Sequence, residues 1–131
     1  AVAFQKDLGM VHSVAHPLSA RHGTHHGLAN ALMLPDSMAF IEAANLTDAQ
    51  QQRIQTLRTL FTEAGRASDS LASETRDWFS ELGTQFGLKN YGITADDFSL
   101  LADEAFADPC HATNLIPVTR NDLAAVYQSA L

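Results

Sequence analysis

The sequence predicts an all-α fold, a single helical bundle that spans residues 1–131. Three observations lead to this prediction. β-branched and aromatic residues never alternate over more than a few positions, so strands are not expected. Apolar residues instead recur at helical spacing in six stretches, joined by short connections that contain Pro, Gly and Asn. Capping patterns that begin with Thr47, Thr94 and Thr119 mark the starts of three of these helices.

The first two predicted helices contain most of the histidines. The first covers residues 1 to about 18, and its apolar positions share one face: Phe4, Leu8, Val11 and Ala15. The second begins near His25 and continues through Leu28, Leu32 and Met33. Pro35 should kink or end this helix, because its ring removes a backbone donor and clashes with the preceding turn.

Four further helices follow. The third begins after Thr47 and stops at Gly65, and the last two begin after Thr94 and Thr119. The inward-facing residues expected in the four helices are, in order, Ile54, Leu57, Leu60 and Phe61; Leu71, Trp78, Phe79 and Leu82; Phe98, Leu101 and Ala105; and Leu123, Val126 and Tyr127.

Composition excludes several classes of function. The formal net charge is -7, and an acidic chain without a basic stripe is not expected to bind nucleic acid. No apolar run approaches the ~18 residues that would span a bilayer, so no membrane association is expected. Cys110 is the single cysteine, which rules out an internal disulfide and fits a reducing cytoplasm.

A cluster of histidines is the least ordinary feature of the chain. Five of the six lie between His12 and His26, and His12 and His16 share a helix face at i, i+4 spacing. That spacing suits two ligands of one metal ion, although surface histidines would show it as well. In one straight helix His12 and His26 would be about 21 Å apart. The chain must therefore turn between them if they cooperate, and Gly23 supplies a turn.

Two stretches resemble the signature of the iron-containing alcohol dehydrogenases. Residues 9–18, GMVHSVAHPL, follow the family pattern G-x-x-H-x-x-A-H-x-[LV]. Residues 25–35, HHGLANALMLP, contain the pattern H-G-x-x-N-A-x-x-[LM]-P that follows about ten residues later. The resemblance continues through residues 102–105, Cys110, Asn114 and residues 123–127, so it covers essentially the whole chain.

The resemblance implies the C-terminal helical domain of a group III alcohol dehydrogenase. In that family one divalent metal, Fe²⁺ or sometimes Zn²⁺, is held by an Asp and three His. His12 and His26 match two of these metal histidines. His16 matches the family histidine beside the nicotinamide and the substrate, so it is the expected catalytic and cofactor-binding residue. The other two metal ligands and the glycine-rich loop for NAD or NADP have no match in residues 1–131.

The resemblance also implies an activity: hydride transfer that interconverts a small alcohol with an aldehyde or ketone, in a cytoplasmic homo-oligomer. Because the N-terminal dinucleotide-binding domain is absent from residues 1–131, this chain alone is expected to be inactive and to bind metal weakly. The face toward that domain is expected to be exposed and to promote self-association. Its residues are Leu8, Val11, Val14, Ala15 and Leu18.

Two other interpretations stay open at the level of sequence. One is a free-standing helical module that binds a metal or a partner without catalysis, with Ala1 close to a natural start. The other is a plain structural bundle, which requires the histidine cluster to be accidental. Departures from the family pattern at Ser19, Asp36 and Leu115 do not involve the metal histidines, and they leave the identity of the substrate open.

Overall fold

The computed structural model describes residues 8–66 and 69–131, and this part of the chain contains six α-helices and no strand. The helices are α1 (Gly9–His22), α2 (His26–Glu42), α3 (Asp48–Glu63), α4 (Leu71–Glu81), α5 (Phe98–Ala107) and α6 (Arg120–Ser129). Short 3₁₀ turns lie at Leu88–Tyr91, Ala95–Asp97 and Pro109–Thr113. The prediction of at least five helices without a sheet is confirmed for these residues. None of the described helices combines the length and the apolar character that a bilayer crossing demands.

Capping side chains begin the helices where the sequence predicts. Thr47 accepts a hydrogen bond from the backbone of Gln50, whose side chain accepts one from the Thr47 backbone in return. Thr119 forms the same reciprocal pair with Asp122 at the start of α6. Each pair satisfies backbone donors that the first helical turn leaves without partners. The box at Thr94 is also present, but it caps the 3₁₀ turn that leads into α5.

Helix α1 begins later than predicted. Residues 1–7 of the expected helix, with Phe4, lie outside the described residues, and α1 starts at Gly9. Gly9 has φ of 70°, a left-handed conformation that strains a residue with a side chain, so the helix does not continue backwards through it. At the other end Gly23 has φ of 65° and makes the predicted turn toward α2.

Pro35 does not end α2, so of the two predicted outcomes, a kink or an end, the end is wrong. The helix continues to Glu42, with Pro35 inside it and fully buried. Its neighbours Leu32, Met33 and Ile41 are buried as well. A proline inside a helix costs about 3 kcal/mol through the lost hydrogen bond and the clash of its ring, and burial of several large apolar side chains, at roughly 1.5–3 kcal/mol each, offsets a loss of that size.

The core forms around α1. Val14, Ala15 and Leu18 are each 0% exposed, packed among buried residues of the other helices. The prediction that these three residues line an exposed face is therefore wrong, whereas Leu8 and Val11 are half-buried. Helical spacing identifies residues that share a face, but it does not reveal that this face meets the chain's own α5 and α6.

The inward face predicted for α3 is only partly confirmed, since Phe61 is half-buried and packs against the core. Ile54 is its one buried residue, whereas Leu57 is 38% and Leu60 is 56% exposed. On α4 Leu71 is buried, but Leu82 at its end is 68% exposed. The inward residues predicted for the last two helices are all buried, as expected: Phe98, Leu101, Ala105, Leu123, Val126 and Tyr127. Edge helices share the apolar pattern of core helices but have fewer neighbours to cover them.

Tyr127 connects α6 to the middle of α1. Its hydroxyl donates to the Val14 carbonyl at 2.7 Å, and its ring lies 6.1 Å from that of Phe98. Burial raises the pKa of Tyr127, so the hydroxyl remains protonated and able to donate. This bond helps to fix α1, and with it the histidines, relative to the C-terminal helices.

Tyr127→Phe is expected to lower the free energy of unfolding by about 1–2 kcal/mol, because it deletes a buried hydrogen bond without changing the ring. Urea denaturation measures this difference. Tyr91→Phe is the matched control, since the Tyr91 hydroxyl donates to the Gln85 carbonyl in an exposed setting. It should change stability by less than about 0.5 kcal/mol. Equal losses in the two variants would contradict the anchoring role of Tyr127.

Candidate metal centre

Three histidines from two helices come together at one point. His12 and His16 lie one turn apart on α1, and His26 is the first residue of α2. The ring centroids are 5.8 Å apart for His12 and His16, 5.4 Å for His12 and His26, and 5.3 Å for His16 and His26. The turn at Gly23 thus brings together all three residues that the sequence singles out. Their roles at a metal or a cofactor stay predictions.

The other two histidines of this segment take different positions. The side chain of His25 accepts a hydrogen bond from the Gly27 backbone at 3.3 Å and caps α2. His22 ends α1 and is half-buried. Neither is among the three rings of the cluster.

The spacing of His12 and His26 fits a shared divalent ion. Metal–nitrogen bonds of about 2.1 Å at tetrahedral angles place the centroids of two imidazole ligands roughly 5 Å apart. The observed separation of 5.4 Å is close to that value. Two neutral imidazoles are also suitable donors for Fe²⁺ or Zn²⁺. The residues present therefore fit the metal that the family pattern implies.

The surroundings of His12 favour its neutral form. Burial lowers the pKa of His12, and the neighbouring imidazoles of His26 and His16 lower it further. A hydrogen bond to the Leu8 backbone and the nearby carboxylate of Asp108 act in the opposite direction without reversing the shift. A neutral imidazole has the free lone pair that a metal needs, so His12 is prepared to act as a ligand.

Asn30 holds His26 in place. Its amide nitrogen lies 3.1 Å from His26 Nε2 and donates to the His26 carbonyl at 3.0 Å. Its Oδ1 is buried without a hydrogen-bond partner among the described residues. Because the same amide nitrogen meets both the His26 ring and the His26 carbonyl, Asn30 ties the ring of His26 to the first turn of α2.

Asp108, which follows α5, reaches the histidine cluster from the other side. Its Oδ2 lies 2.6 Å from His16 Nδ1, and its Oδ1 accepts bonds from the Ser13 hydroxyl at 3.1 Å and the Cys110 backbone at 2.8 Å. Burial alone would raise the pKa of Asp108. The hydrogen bonds from His16, Cys110 and Ser13 outweigh this effect and lower the pKa to about 2. Asp108 is therefore ionised at neutral pH.

Residues 108–114, here called the brace segment, also hold the start of α1. The Asn114 side-chain oxygen accepts a bond from the Met10 backbone at 3.4 Å. Its amide nitrogen donates to the Ile116 carbonyl at 3.2 Å. A Cβ at Gly9 would lie 3.4 Å from the same Asn114 oxygen, so the two segments approach closely. The brace segment thus meets α1 at its first turn and again at the catalytic candidate His16.

A second combination of possible metal ligands involves Asp108. Among the described residues, His16, Asp108 and Cys110 form a group whose donor atoms lie within 4.8 Å of one another. An ion bound at about 2.1 Å to both His16 Nδ1 and Asp108 Oδ2, which are 2.6 Å apart, would subtend an angle of only about 76°. That angle is far from tetrahedral, whereas 2.6 Å is a normal charge-assisted hydrogen bond. The contact of His16 with Asp108 is therefore a hydrogen bond.

The fold and the histidines together define a helical domain with a candidate metal centre. Residues 2–131 match the profile described as "Fe-containing alcohol dehydrogenase family, C-terminal". The chain belongs to the iron-containing alcohol dehydrogenase family, and its helices form the C-terminal domain of that fold.

Individual relatives agree with this assignment. The chain is 34% identical to the 4-hydroxybutyrate dehydrogenase of Cupriavidus necator over 87% of its own length and 30% of the relative's. It is 29% identical to the lactaldehyde reductase of Escherichia coli strain K12, over 94% of the chain and 32% of the relative. The structure of an alcohol dehydrogenase from Oenococcus oeni superposes with a TM-score of 0.76 and 25% identity, over 95% of this chain and 33% of that one. The chain thus spans about a third of the length of these relatives.

Proposed function

We propose that this chain is the helical part of an NAD(P)-dependent, metal-dependent alcohol dehydrogenase. The convergence of the His12, His16 and His26 rings carries the proposal, because imidazoles with centroids 5.3–5.8 Å apart form a compact donor set. Membership of the iron-containing family supports it independently. The relatives named for 4-hydroxybutyrate and lactaldehyde favour a small alcohol or aldehyde as the substrate class.

The three histidines have distinct roles in this proposal. His12 and His26 bind a divalent ion, Fe²⁺ or Zn²⁺. The bound ion supplies a Lewis acid at the substrate oxygen. His16 lies beside the substrate and the nicotinamide, orients them, and moves a proton between the substrate oxygen and solvent. The hydride chemistry belongs to the cofactor, and the protein supplies positioning.

The proposal also assigns functions outside residues 1–131. Since the chain spans about a third of its relatives, binding of NAD or NADP is proposed to depend mainly on a separate dinucleotide-binding domain. The Asp and the remaining His of the metal site are proposed to come from a part of the whole protein outside residues 1–131. Association of like subunits and a cytoplasmic location complete the proposal.

Metal depletion and restoration of the full-length protein test this function. After treatment with a chelator, the protein is assayed with a small primary alcohol and NAD⁺ or NADP⁺, before and after addition of Fe²⁺ or Zn²⁺. NAD(P)H formation is expected only after the metal is restored. Residues 1–131 alone are the control and should transfer no hydride under any of these conditions.

Two results would contradict the proposal. Turnover that survives complete metal removal would rule out the metal role. A metal bound tightly by a full-length protein that oxidises no alcohol would instead favour a helical metal-binding module without catalysis.

A further inference from the structure

The contact of His16 with Asp108 joins two distant parts of the chain. Ninety-two positions separate the two residues, and the His16 Nδ1 to Asp108 Oδ2 distance is 2.6 Å. A carboxylate offers only acceptor atoms, so a bond of this length requires a proton on His16 Nδ1. In the neutral ring the lone pair then lies on Nε2.

The Asp108 carboxylate is itself held in one orientation. Its Oδ1 accepts from the Ser13 hydroxyl and from the Cys110 backbone, while its Oδ2 faces His16 Nδ1. Ser13 is 0% exposed and lies one turn before His16 on α1. Pro109 follows directly and fixes the backbone at the start of the 3₁₀ turn. The acceptor for His16 is therefore rigid in position and in direction.

We propose that Asp108 is a positioning residue that fixes both the ring orientation and the Nδ1–H tautomer of His16. In this proposal Asp108 contacts neither the substrate nor the donor atoms of the metal histidines. It acts through His16. The fixed tautomer presents the Nε2 lone pair for proton exchange with the substrate oxygen. The role in turnover rests on the proposed dehydrogenase function, whereas the hydrogen bond and the tautomer do not.

Asp108→Asn tests the proposal sharply because Asn has nearly the same shape. The Ser13 hydroxyl and the Cys110 N–H would retain the amide oxygen as their acceptor, which turns the NH₂ group toward His16 Nδ1. A donor at that position forces the proton of His16 onto Nε2. The variant should therefore invert the tautomer of His16 without changing the helices.

Nitrogen-15 NMR of metal-free protein with labelled histidine measures the tautomer directly. We expect Nδ1–H for His16 in the wild-type chain and Nε2–H in Asp108→Asn. Asp103→Asn is the matched control, since it also removes one carboxylate, but this side chain pairs with Arg120 and is 58% exposed. It should leave the His16 tautomer unchanged. An Nε2–H tautomer in the wild type would overturn the proposal even if Asp108→Asn failed to fold.

Kinetics of the full-length enzyme supply the second measurement. Positioned proton transfer contributes about 10²–10⁴-fold to rates, so Asp108→Asn should lower kcat on the order of 100-fold. KM and metal content should stay within about twofold of the wild-type values, because the metal histidines are unchanged and the His16 ring keeps its place beside the substrate. Loss of the metal with an unchanged tautomer would overturn the proposal and make Asp108 a ligand. An inverted tautomer with full turnover would overturn the positioning role, whereas an inactive wild type would refute the proposed function itself.

Discussion

His12→Ala and His26→Ala are each expected to leave the full-length protein nearly free of its divalent metal. Binding free energies of about 10–16 kcal/mol, shared by four ligands, correspond to roughly 3 kcal/mol for each ligand. Loss of one imidazole should therefore weaken the affinity about 100-fold. Dehydrogenase activity should disappear in parallel. Metal analysis of the purified variants measures the content, and titration with Fe²⁺ or Zn²⁺ measures the affinity.

His22→Ala is the control for both variants. His22 stands four positions before His26, the same spacing that separates His12 from His16, yet its ring is not part of the cluster. This variant should retain a full complement of metal. A full metal content in His12→Ala would refute the ligand assignment, and equal losses in all three variants would point to a general effect on folding.

His16→Ala is expected to lose activity without losing the metal. The metal should remain, because His12 and His26 keep their donors, whereas kcat should fall about 10²–10⁴-fold through loss of proton transfer. Steady-state kinetics together with metal analysis separate these two quantities. His111→Ala is the control, since the His111 ring stacks on Phe106 with centroids 4.8 Å apart and is not one of the three rings of the cluster. Metal loss in His16→Ala would instead identify His16 as a ligand.

The sequence predicted where helices begin more reliably than which of their faces are buried. Capping at Thr47 and Thr119 depends on residues three positions apart, so local pattern was sufficient to locate these helix starts. The burial of Val14 and the exposure of Leu60 depend on which distant helices cover each face. Pro35 is a further example, because local helix propensity disfavours proline, whereas burial of its neighbours allows α2 to continue past it.

The part of the candidate site that depends on residues close in sequence was predicted, and the part that depends on distant residues was not. His12, His16 and His26 lie within one short stretch, and the need for a turn at Gly23 followed from distance arithmetic alone. Asp108 was missed. In the sequence, an Asp before Pro109 indicates only a cap for the next turn. The structure has this cap, since the Asp108 side chain accepts a hydrogen bond from the Cys110 backbone. Nothing in the local pattern indicates a partner that lies 92 positions earlier.

The brace segment ties formation of the histidine site to the last quarter of the chain. Its bonds to α1 span 92, 95 and 104 positions, so they close late, after the local contacts of α1 with α2. During synthesis on the ribosome, α1 and α2 emerge first and can form their pair, but His16 has no carboxylate partner until residue 108 has left the exit tunnel. A nascent chain therefore contains the three imidazoles before it contains the carboxylate that accepts the hydrogen bond from His16. The bond from His16 can form only after residue 108 has emerged, and any truncation before residue 108 removes its acceptor altogether.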